Sequence, residues 1–315
     1  MNMKNNKIDF RNAFFDEMYK ISKKNKKIVF LTADISAYSL PKFRKDFPDK
    51  FYNVGIAEQG MINIATGLAM NNKKVFIFSM IPFLTMRCYE HIKINVCSHN
   101  LPIVLVGLGS GLSYDTAGHS AQAIIDIGVM RMLPELEIYN PSDSISTKKI
   151  CEIVSKSKKP SYVRLDKSQQ SVLYSDKISF DSNFKIINRK SKNCIITTGI
   201  MTHKSIELSN ILGKKHLQLD IIDLIKLKPI NEKKLINCLK KYKNIFVIDE
   251  NTFSGGISSI LSEIFTKNNF KRQINFYCLK NTQDVGFYGN RDWLHKRNKL
   301  DVKSLMKDIT KKLKK

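Results

Sequence analysis

Short apolar runs of strand length alternate with longer helix-like segments along most of the 315-residue chain. Parallel strands need a crossover connection, usually a helix, so this alternation predicts a parallel sheet covered by helices. The helical stretches of the first half lie near residues 14–22, 60–70, 83–95 and 121–130. The strands predicted between them are 28–31, 51–54, 75–78, 103–106, 137–139 and 161–164.

The alternation restarts after a polar, weakly patterned segment that follows the last of these strands. A short strand is predicted inside this segment at 184–187, and after the segment strands are predicted at 194–198, 217–222, 245–249 and 274–277. The simplest account is an α/β chain with two parallel-sheet domains. We place the first domain at residues 1–170, a linker at 171–191 and the second domain at 192–315.

Composition narrows the class of protein. The 43% hydrophobic content argues against disorder, and the length suffices for two domains with a substantial core. The N-terminus lacks the apolar stretch of a secretion signal, and no apolar run approaches the ~18 residues that span a bilayer, so we expect a cytoplasmic protein without a membrane partner. The six cysteines form no Cys-x-x-Cys pair, which predicts neither a metal site nor a disulfide framework.

The formal charge of +25 raises nucleic-acid binding as a second class of function. The lysines are nevertheless spread along the chain and are not interleaved with aromatic residues, as an RNA-binding platform would require. Asn and Ile are abundant as well, which indicates a general drift of the composition toward Lys, Asn and Ile. We therefore expect no nucleic-acid partner.

One stretch, residues 51–69, carries most of the functional information: Phe-Tyr-Asn-Val-Gly-Ile-Ala-Glu-Gln-Gly-Met-Ile-Asn-Ile-Ala-Thr-Gly-Leu-Ala. A short strand runs into a turn and then into a helix rich in small residues, which places Glu58 in the first helical turn. Glutamates at that position commonly only complement the helix dipole. A carboxylate beside a tightly packed junction is also where a tuned acid is found.

The sequence of this stretch resembles the cofactor-activating glutamate motif of the transketolase family of thiamine diphosphate enzymes. Matching pieces occur in order at residues 31–36, 82–87, 115–122, 131–134, 140–143 and 250–256. Each piece alone is a weak signal, and their order and spacing over nearly the whole chain carry the resemblance. It implies a pyrimidine-binding domain followed by a transketolase C-terminal domain.

The resemblance assigns a catalytic role to Glu58. In the family, this glutamate hydrogen-bonds N1′ of the cofactor's aminopyrimidine, and the cofactor's own imino nitrogen then removes the C2 proton. To donate that hydrogen bond the carboxyl must be protonated, which calls for a dry setting. Phe83 is the implied stacking platform for the aminopyrimidine, with Arg87 in the same stretch, and Asp34 corresponds to an aspartate beside the cofactor.

For the substrate, the resemblance points to Asp115 and His119, which keep the family's Asp-x-x-x-His spacing and reach toward sugar hydroxyls and the carbonyl oxygen. His119 is the second implied catalytic residue. Arg11 and Arg164 match the two arginines that hold a substrate phosphate. The serine and histidine of that clamp are replaced by Tyr38 and Gly107, so we expect a substrate other than an ordinary pentose or hexose phosphate.

The sequence contains no Gly-Asp-Gly motif, with which the family binds the diphosphate and its Mg²⁺. The resemblance therefore implies the second subunit of a split enzyme, inactive alone, that moves a two-carbon ketol unit between sugars. We expect an α2β2 heterotetramer with an N-terminal subunit that holds most of the diphosphate and the metal. The alternatives are the beta subunit of a 2-oxo acid dehydrogenase and a deoxyxylulose-phosphate synthase-like enzyme, whose Phe-to-Arg spacing is one residue shorter. No catalytic role is assigned to the second domain.

Overall fold

The computed structural model describes residues 4–180, 183–280 and 288–314. In chain order the strands are β1 (Lys4–Asp9), β2 (Ile28–Thr32), β3 (Phe51–Asn53), β4 (Lys74–Met80), β5 (Ile103–Leu108), β6 (Glu137–Tyr139), β7 (Ser161–Leu165), β8 (Gln169–Val172), β9 (Phe184–Ile187), β10 (Asn193–Thr197), β11 (Asp220–Leu224), β12 (Lys226–Lys228), β13 (Asn244–Thr252) and β14 (Gln273–Leu279).

Helices connect most of these strands. They are α1 (Phe10–Lys24), α2 (Leu40–Asp46), α3 (Glu58–Met70), α4 (Ile81–Thr85), α5 (Tyr89–His91), α6 (Asp126–Arg131), α7 (Ser144–Lys156), α8 (Met201–Gly213), α9 (Glu232–Leu239), α10 (Ile257–Lys267), α11 (Arg291–Arg297) and α12 (Val302–Leu313). A 3₁₀ turn covers Pro48–Lys50, and a π-helical segment covers Ile92–Cys97. No helix of the described part is both long and apolar enough to cross a membrane.

The first sheet has the strand order β12-β6-β7-β5-β4-β2-β3. All neighbours in it are parallel except β12, which runs antiparallel to β6. Its central strands are buried along their length, because helices cover both faces and leave no room for a polar side. On one face, Phe14 and Phe15 of α1 make edge-to-face contacts with the strand residues Phe76 and Phe78.

The second sheet has the order β14-β13-β10-β11-β9 and is parallel except for β9. Two sheets with helices between their strands confirm the predicted α/β class. The strand β9 falls inside the segment 171–191, the predicted linker, and pairs with β11 of the second sheet. A separate two-stranded ribbon joins β1 to β8. The exact domain boundaries stay a prediction.

Two predicted helices differ from the structure. The stretch 83–95 is broken into α4, α5 and the π-helical segment, and α6 begins only at Asp126 rather than near residue 121. Residues 109–119 form an irregular loop after β5, which we call the Asp115 loop. Because the strands of the first sheet are parallel, the segments that follow β2, β3, β4 and β5 leave the sheet at one edge, its carboxyl edge.

Candidate active site

Glu58 is the first residue of α3 and lies at the carboxyl edge of the first sheet. Only 4% of it is exposed, so the expected exclusion from water is present. Arg87 Nη1 donates a hydrogen bond to Glu58 Oε2 over 2.8 Å, and Ser79 Oγ lies 3.5 Å from the other carboxyl oxygen. The surroundings are therefore dry but not apolar, because a charged donor faces the carboxyl.

Arg87 links Glu58 to the predicted stacking residue. Its guanidinium carbon lies 4.3 Å from the centre of the Phe83 ring, a cation–π distance. Gln59 Nε2 donates to the Arg87 carbonyl oxygen over 3.1 Å and ties α3 to this segment. The structure thus brings Glu58, Phe83 and Arg87 together, as the resemblance implied, and leaves 44% of the Arg87 side chain exposed.

Asp34 directly follows β2 and has a left-handed backbone with φ of 53°. The side chain of Asn53, at the end of the neighbouring strand β3, holds it there. Asn53 Oδ1 accepts from the Asp34 amide over 3.0 Å, and Asn53 Nδ2 donates to Asp34 Oδ1 over 3.2 Å. The Asp34 carboxylate is exposed at the same sheet edge as Glu58.

Large apolar side chains lie exposed around this edge. Ile56, two residues before Glu58, is 79% exposed, and Met86, the residue before Arg87, is 37% exposed. Tyr52 in β3 and Ile64 in α3 are 45% and 47% exposed. We call these four residues the apolar rim. Exposed apolar surface beside a polar site is typical of an interaction face.

The Asp115 loop, by contrast, is covered by the second half of the chain. The Arg291 amide donates to Asp115 Oδ2 over 2.8 Å, and the Thr116 amide donates to Asp115 Oδ1 over 2.8 Å. Gly118 has φ of 80°, and a Cβ there would overlap the ring of Tyr288. The next residue, His119, is exposed, so its imidazole faces away from the packed side of the loop.

A buried charge cluster lies beneath this loop. Arg291 Nε donates to Glu250 Oε1 over 2.7 Å, and its two terminal nitrogens donate to Asp166 over 3.1 and 2.8 Å. Burial disfavours ionised Glu250, but the charge and hydrogen bonds of Arg291 outweigh burial and lower the pKa of that carboxyl. The same balance lowers the pKa of Asp166. We call Arg291, Glu250 and Asp166 the Arg291 cluster.

Sequence reasoning missed this cluster. No catalytic role was assigned to the second domain. His295 is buried, its Nε2 donates to Glu250 Oε1 over 2.5 Å, and its Nδ1 contacts Lys204. The available signal was the pair Asp249 and Glu250, two charged residues that follow the apolar run of β13.

Arg164, predicted to bind a substrate phosphate, is buried inside the molecule. Its Nε and Nη2 donate to the Asp126 carboxylate over 2.6 and 2.9 Å, and Nη2 also lies 3.3 Å from the Ala123 carbonyl oxygen. The Tyr162 hydroxyl donates to the same Asp126 oxygen over 2.6 Å. These contacts give Arg164 a structural role in this chain, and a substrate role stays a prediction.

Arg11 is the other predicted phosphate ligand. It lies in the first turn of α1, where Nη1 donates to the Ser36 carbonyl oxygen over 3.3 Å and Nη2 lies 3.5 Å from Asp9. Its side chain is 27% exposed and faces the open cleft that contains Tyr38. Arg11 is therefore partly exposed at a cleft, whereas Arg164 is buried. The phosphate role of Arg11 stays a prediction.

Comparison with known families matches both halves of the chain. A family model described as the pyrimidine binding domain of transketolase matches residues 6–171. A second model, the transketolase C-terminal domain, matches residues 182–301. Together the two matches include every candidate site residue named above.

Individual relatives agree with the family models. The chain is 27% identical over 274 residues to an apulose-4-phosphate transketolase subunit of Actinobacillus succinogenes, covering 86% of this chain and 87% of the relative. It is 28% identical over 310 residues to a putative transketolase C-terminal section of Methanocaldococcus jannaschii, covering 97% and 96%. A solved structure of a split gene transketolase, described as an inactive beta4 tetramer, superposes with a TM-score of 0.86 at 26% identity, covering 98% and 99%.

Proposed function

Because this chain belongs to the transketolase family, we propose that it is one subunit of a thiamine diphosphate-dependent transketolase that transfers a two-carbon ketol unit between sugars or sugar derivatives. The observation that carries the proposal is the buried carboxyl of Glu58 beside the ring of Phe83 at the carboxyl edge of the first sheet. Two relatives that match over most of their own length, a transketolase subunit and a C-terminal section, support one part of an enzyme rather than a complete one. They do not favour the dehydrogenase or synthase alternatives.

The residues around Glu58 fit the aminopyrimidine of the cofactor. A flat heteroaromatic ring needs a buried hydrogen-bonding partner at one edge and an apolar surface against one face. Glu58 and Phe83 offer these two groups, and Arg87 now contacts both of them. Arg87 thus occupies contacts that the ring would take, so it must give up at least one of them for the ring to bind.

When bound, thiamine diphosphate supplies the nucleophilic thiazolium carbon. Glu58 is proposed to hold a proton at the pyrimidine nitrogen, where its burial keeps water from competing for that proton. Arg87 orients the carboxyl through its hydrogen bond to Oε2. The exposed carboxylate of Asp34, fixed by Asn53, is proposed to contact the cofactor from the neighbouring strand end.

The Asp115 loop is the proposed substrate side of the site. The Asp115 carboxylate accepts hydrogen bonds, which suits sugar hydroxyls, and the exposed imidazole of His119 can donate to or accept from a carbonyl oxygen. Arg11 and Arg164 are carried forward as substrate ligands from the family resemblance alone. The donor and acceptor sugars stay open.

A second polypeptide is proposed to complete the site. In this proposal an N-terminal, diphosphate-binding subunit holds most of the diphosphate and Mg²⁺, and the pair forms a cytoplasmic α2β2 heterotetramer. The apolar rim supports this, because four large apolar side chains lie exposed next to the cofactor-facing residues. The split-gene relative, whose tetramer of beta chains is described as inactive, also agrees with a need for a partner.

The test is the isosteric substitution Glu58→Gln in the complex reconstituted with the partner subunit. Loss of the acid should lower kcat for ketol transfer by about 10³-fold, in line with the worth of a positioned acid–base group. Glu90→Gln, which changes an exposed glutamate of nearby α5, is the matched control and should keep full activity. Ketol transfer at the wild-type rate by the Glu58 variant would remove this residue from the mechanism. Acylation of a lipoyl domain in place of ketol transfer would favour the dehydrogenase alternative.

A further inference from the structure

The second half of the chain holds the Asp115 loop through contacts that no family motif named. We propose that Arg291 is a positioning residue for substrate: its guanidinium anchors the start of α11 in the Arg291 cluster, and its amide thereby fixes the Asp115 carboxylate. This inference rests on the proposed function, because it takes the Asp115 loop to be the substrate side. The residue acts through Asp115 and does not itself touch substrate.

Three contacts connect the cluster to the loop. The Leu112 amide donates to Glu250 Oε2 over 3.1 Å, and Ser110 Oγ donates to Asp166 over 3.2 Å. The Arg291 amide makes the third contact, at Asp115 itself. One guanidinium joins both carboxylates, so displacing Arg291 would release the loop at three points together.

The loop is also shaped to accept this neighbour. Gly111 has φ of 58°, and a Cβ there would overlap the carboxylate of Glu250. Gly118 is similarly closed off by Tyr288, three residues before Arg291. Glycine at both positions permits the close approach and the left-handed backbone.

The cluster is rigid for an electrostatic reason. Asp166 and Glu250 are nearly fully buried, and only 16% of the Arg291 side chain is exposed. Taking one partner from a buried, hydrogen-bonded ion pair leaves the other charge without compensation, so each member strongly disfavours movement of the others. A residue that only joined the two halves of the chain would not need to fix the position of the Asp115 loop.

Arg131 provides the comparison. It also bridges the two halves, donating from Nη1 to Glu263 Oε1 over 2.8 Å and to Ser259 Oγ over 3.2 Å. Its side chain is 20% exposed, close to the value for Arg291. Among the described residues, its hydrogen bonds do not reach the Asp115 loop. Arg131→Ala therefore removes a bridging arginine without removing the anchor of the loop.

The first experiment needs no activity. Amide hydrogen exchange followed by mass spectrometry on peptides covering residues 109–123 should be about tenfold faster in Arg291→Ala than in wild type, and unchanged in Arg131→Ala. Where Arg291→Ala does not fold, Glu250→Gln asks the same question, because it keeps the shape of the side chain and weakens its hold on Arg291. Wild-type exchange of the loop in whichever variant folds would overturn the positioning role.

The second experiment separates positioning from general stability. In the complex reconstituted with the partner subunit, Arg291→Ala should raise KM for the sugar about tenfold and leave the Kd for thiamine diphosphate unchanged. Equal losses in Arg291→Ala and Arg131→Ala would mean that both arginines only hold the halves together, which contradicts the proposal. If the wild-type complex shows no ketol transfer, the proposed function fails, while the exchange comparison still decides whether Arg291 orders the loop.

Discussion

Two regions lie at the carboxyl edge of the first sheet: the Glu58 edge, which comprises Glu58, Phe83, Arg87 and the apolar rim, and the Asp115 loop. Their surroundings differ. At the Glu58 edge the polar residues are bordered by exposed apolar side chains, and Arg87 itself is 44% exposed. At the Asp115 loop the polar residues lie against the second half of the same chain, in a buried cluster of opposite charges.

This difference separates what the chain builds alone from what it leaves to another molecule. The Asp115 loop, the proposed substrate side, is held by residues of the same chain, so its geometry is present in every copy of the chain. The proposed cofactor side contains a buried carboxyl and an aromatic ring, bordered by the half-exposed Arg87 and the apolar rim. In our proposal the partner subunit covers this side, which would make cofactor binding, and not substrate recognition, the step that depends on assembly.

The sharpest test of the comparison is a charge in the apolar rim. Ile56→Asp should raise the Kd for the partner subunit about 100-fold, because burying an unpaired carboxylate in an interface core costs several kcal/mol. The isolated variant should fold normally, since Ile56 is 79% exposed. Analytical ultracentrifugation or interferometry of the mixed subunits would measure the change.

The matched control for that variant is Met132→Asp. Met132 is 76% exposed, directly follows α6 and is not a member of the apolar rim. Its substitution should leave assembly unchanged. An equal rise in the Kd for the partner subunit in both variants would mean that any added surface charge has this effect. The proposed difference between the cofactor side and the substrate side would then have no support.

Falling pH should destabilise the Asp115 loop before it destabilises α3 at the Glu58 edge. The pKa values of Glu250 and Asp166 lie below their ordinary values, so these carboxyls stabilise the fold above about pH 4.5, and that stability is lost as pH falls further. Between pH 5 and about pH 3, exchange protection of the Asp115 loop, corrected for intrinsic rates, should fall several-fold more than that of α3. Equal losses in both segments would contradict a special role for the paired carboxylates.

The smallest effect is expected at another buried carboxyl, Asp223. It accepts hydrogen bonds from the hydroxyls of Tyr174, Ser142 and Thr202 over 2.5, 2.7 and 2.9 Å. Burial raises the pKa of Asp223 to about 7. Its contribution to stability is therefore fully present below about pH 4 and is lost as pH rises through about 7, the opposite of the Arg291 cluster.

Asp223→Asn should remove that dependence. At about pH 8 the variant should be more stable than wild type by roughly 1 kcal/mol, because an amide buries no charge. Its oxygen can still accept from Ser142 and Thr202, and its nitrogen can donate to the Tyr174 hydroxyl. The free energy of unfolding from urea titrations at several pH values measures this. A wild-type pH profile in the variant would show that Asp223 does not titrate in this range, and the contrast between the two kinds of buried carboxyl would disappear.

The apolar runs predicted the strands well, because strands buried on both faces must be apolar along their length. The run 103–106 became β5, and the run 137–139 became β6 with the same limits. The three-residue strand β12, Lys-Leu-Lys, could not be predicted in this way. Its sequence has no apolar run, and only the neighbouring β6 makes it a strand.

The candidate site likewise has one part that the sequence predicted and one part that it did not. Glu58, Phe83 and Arg87 were predicted to lie together, and their proximity follows from parallel strands that end at one edge. The Arg291 cluster could not be derived from local patterns. Arg291 lies 125 positions from Asp166 and 41 from Glu250 in the sequence, so only the packing of the two halves brings the three charges together.

Strand β12 also bears on how the protein is made. The hydrogen-bonding groups of β6 stay open on one side until the ribosome has released residues 226–228, which then pair with Ile138 and Tyr139. A fragment that stops before them would expose a strand ready to join another copy, and we expect it to aggregate. In the finished molecule β12 covers that side of β6, and Lys226 Nζ donates to Glu137 Oε1 of β6 over 2.6 Å. The later half of the chain therefore protects the earlier half from self-association.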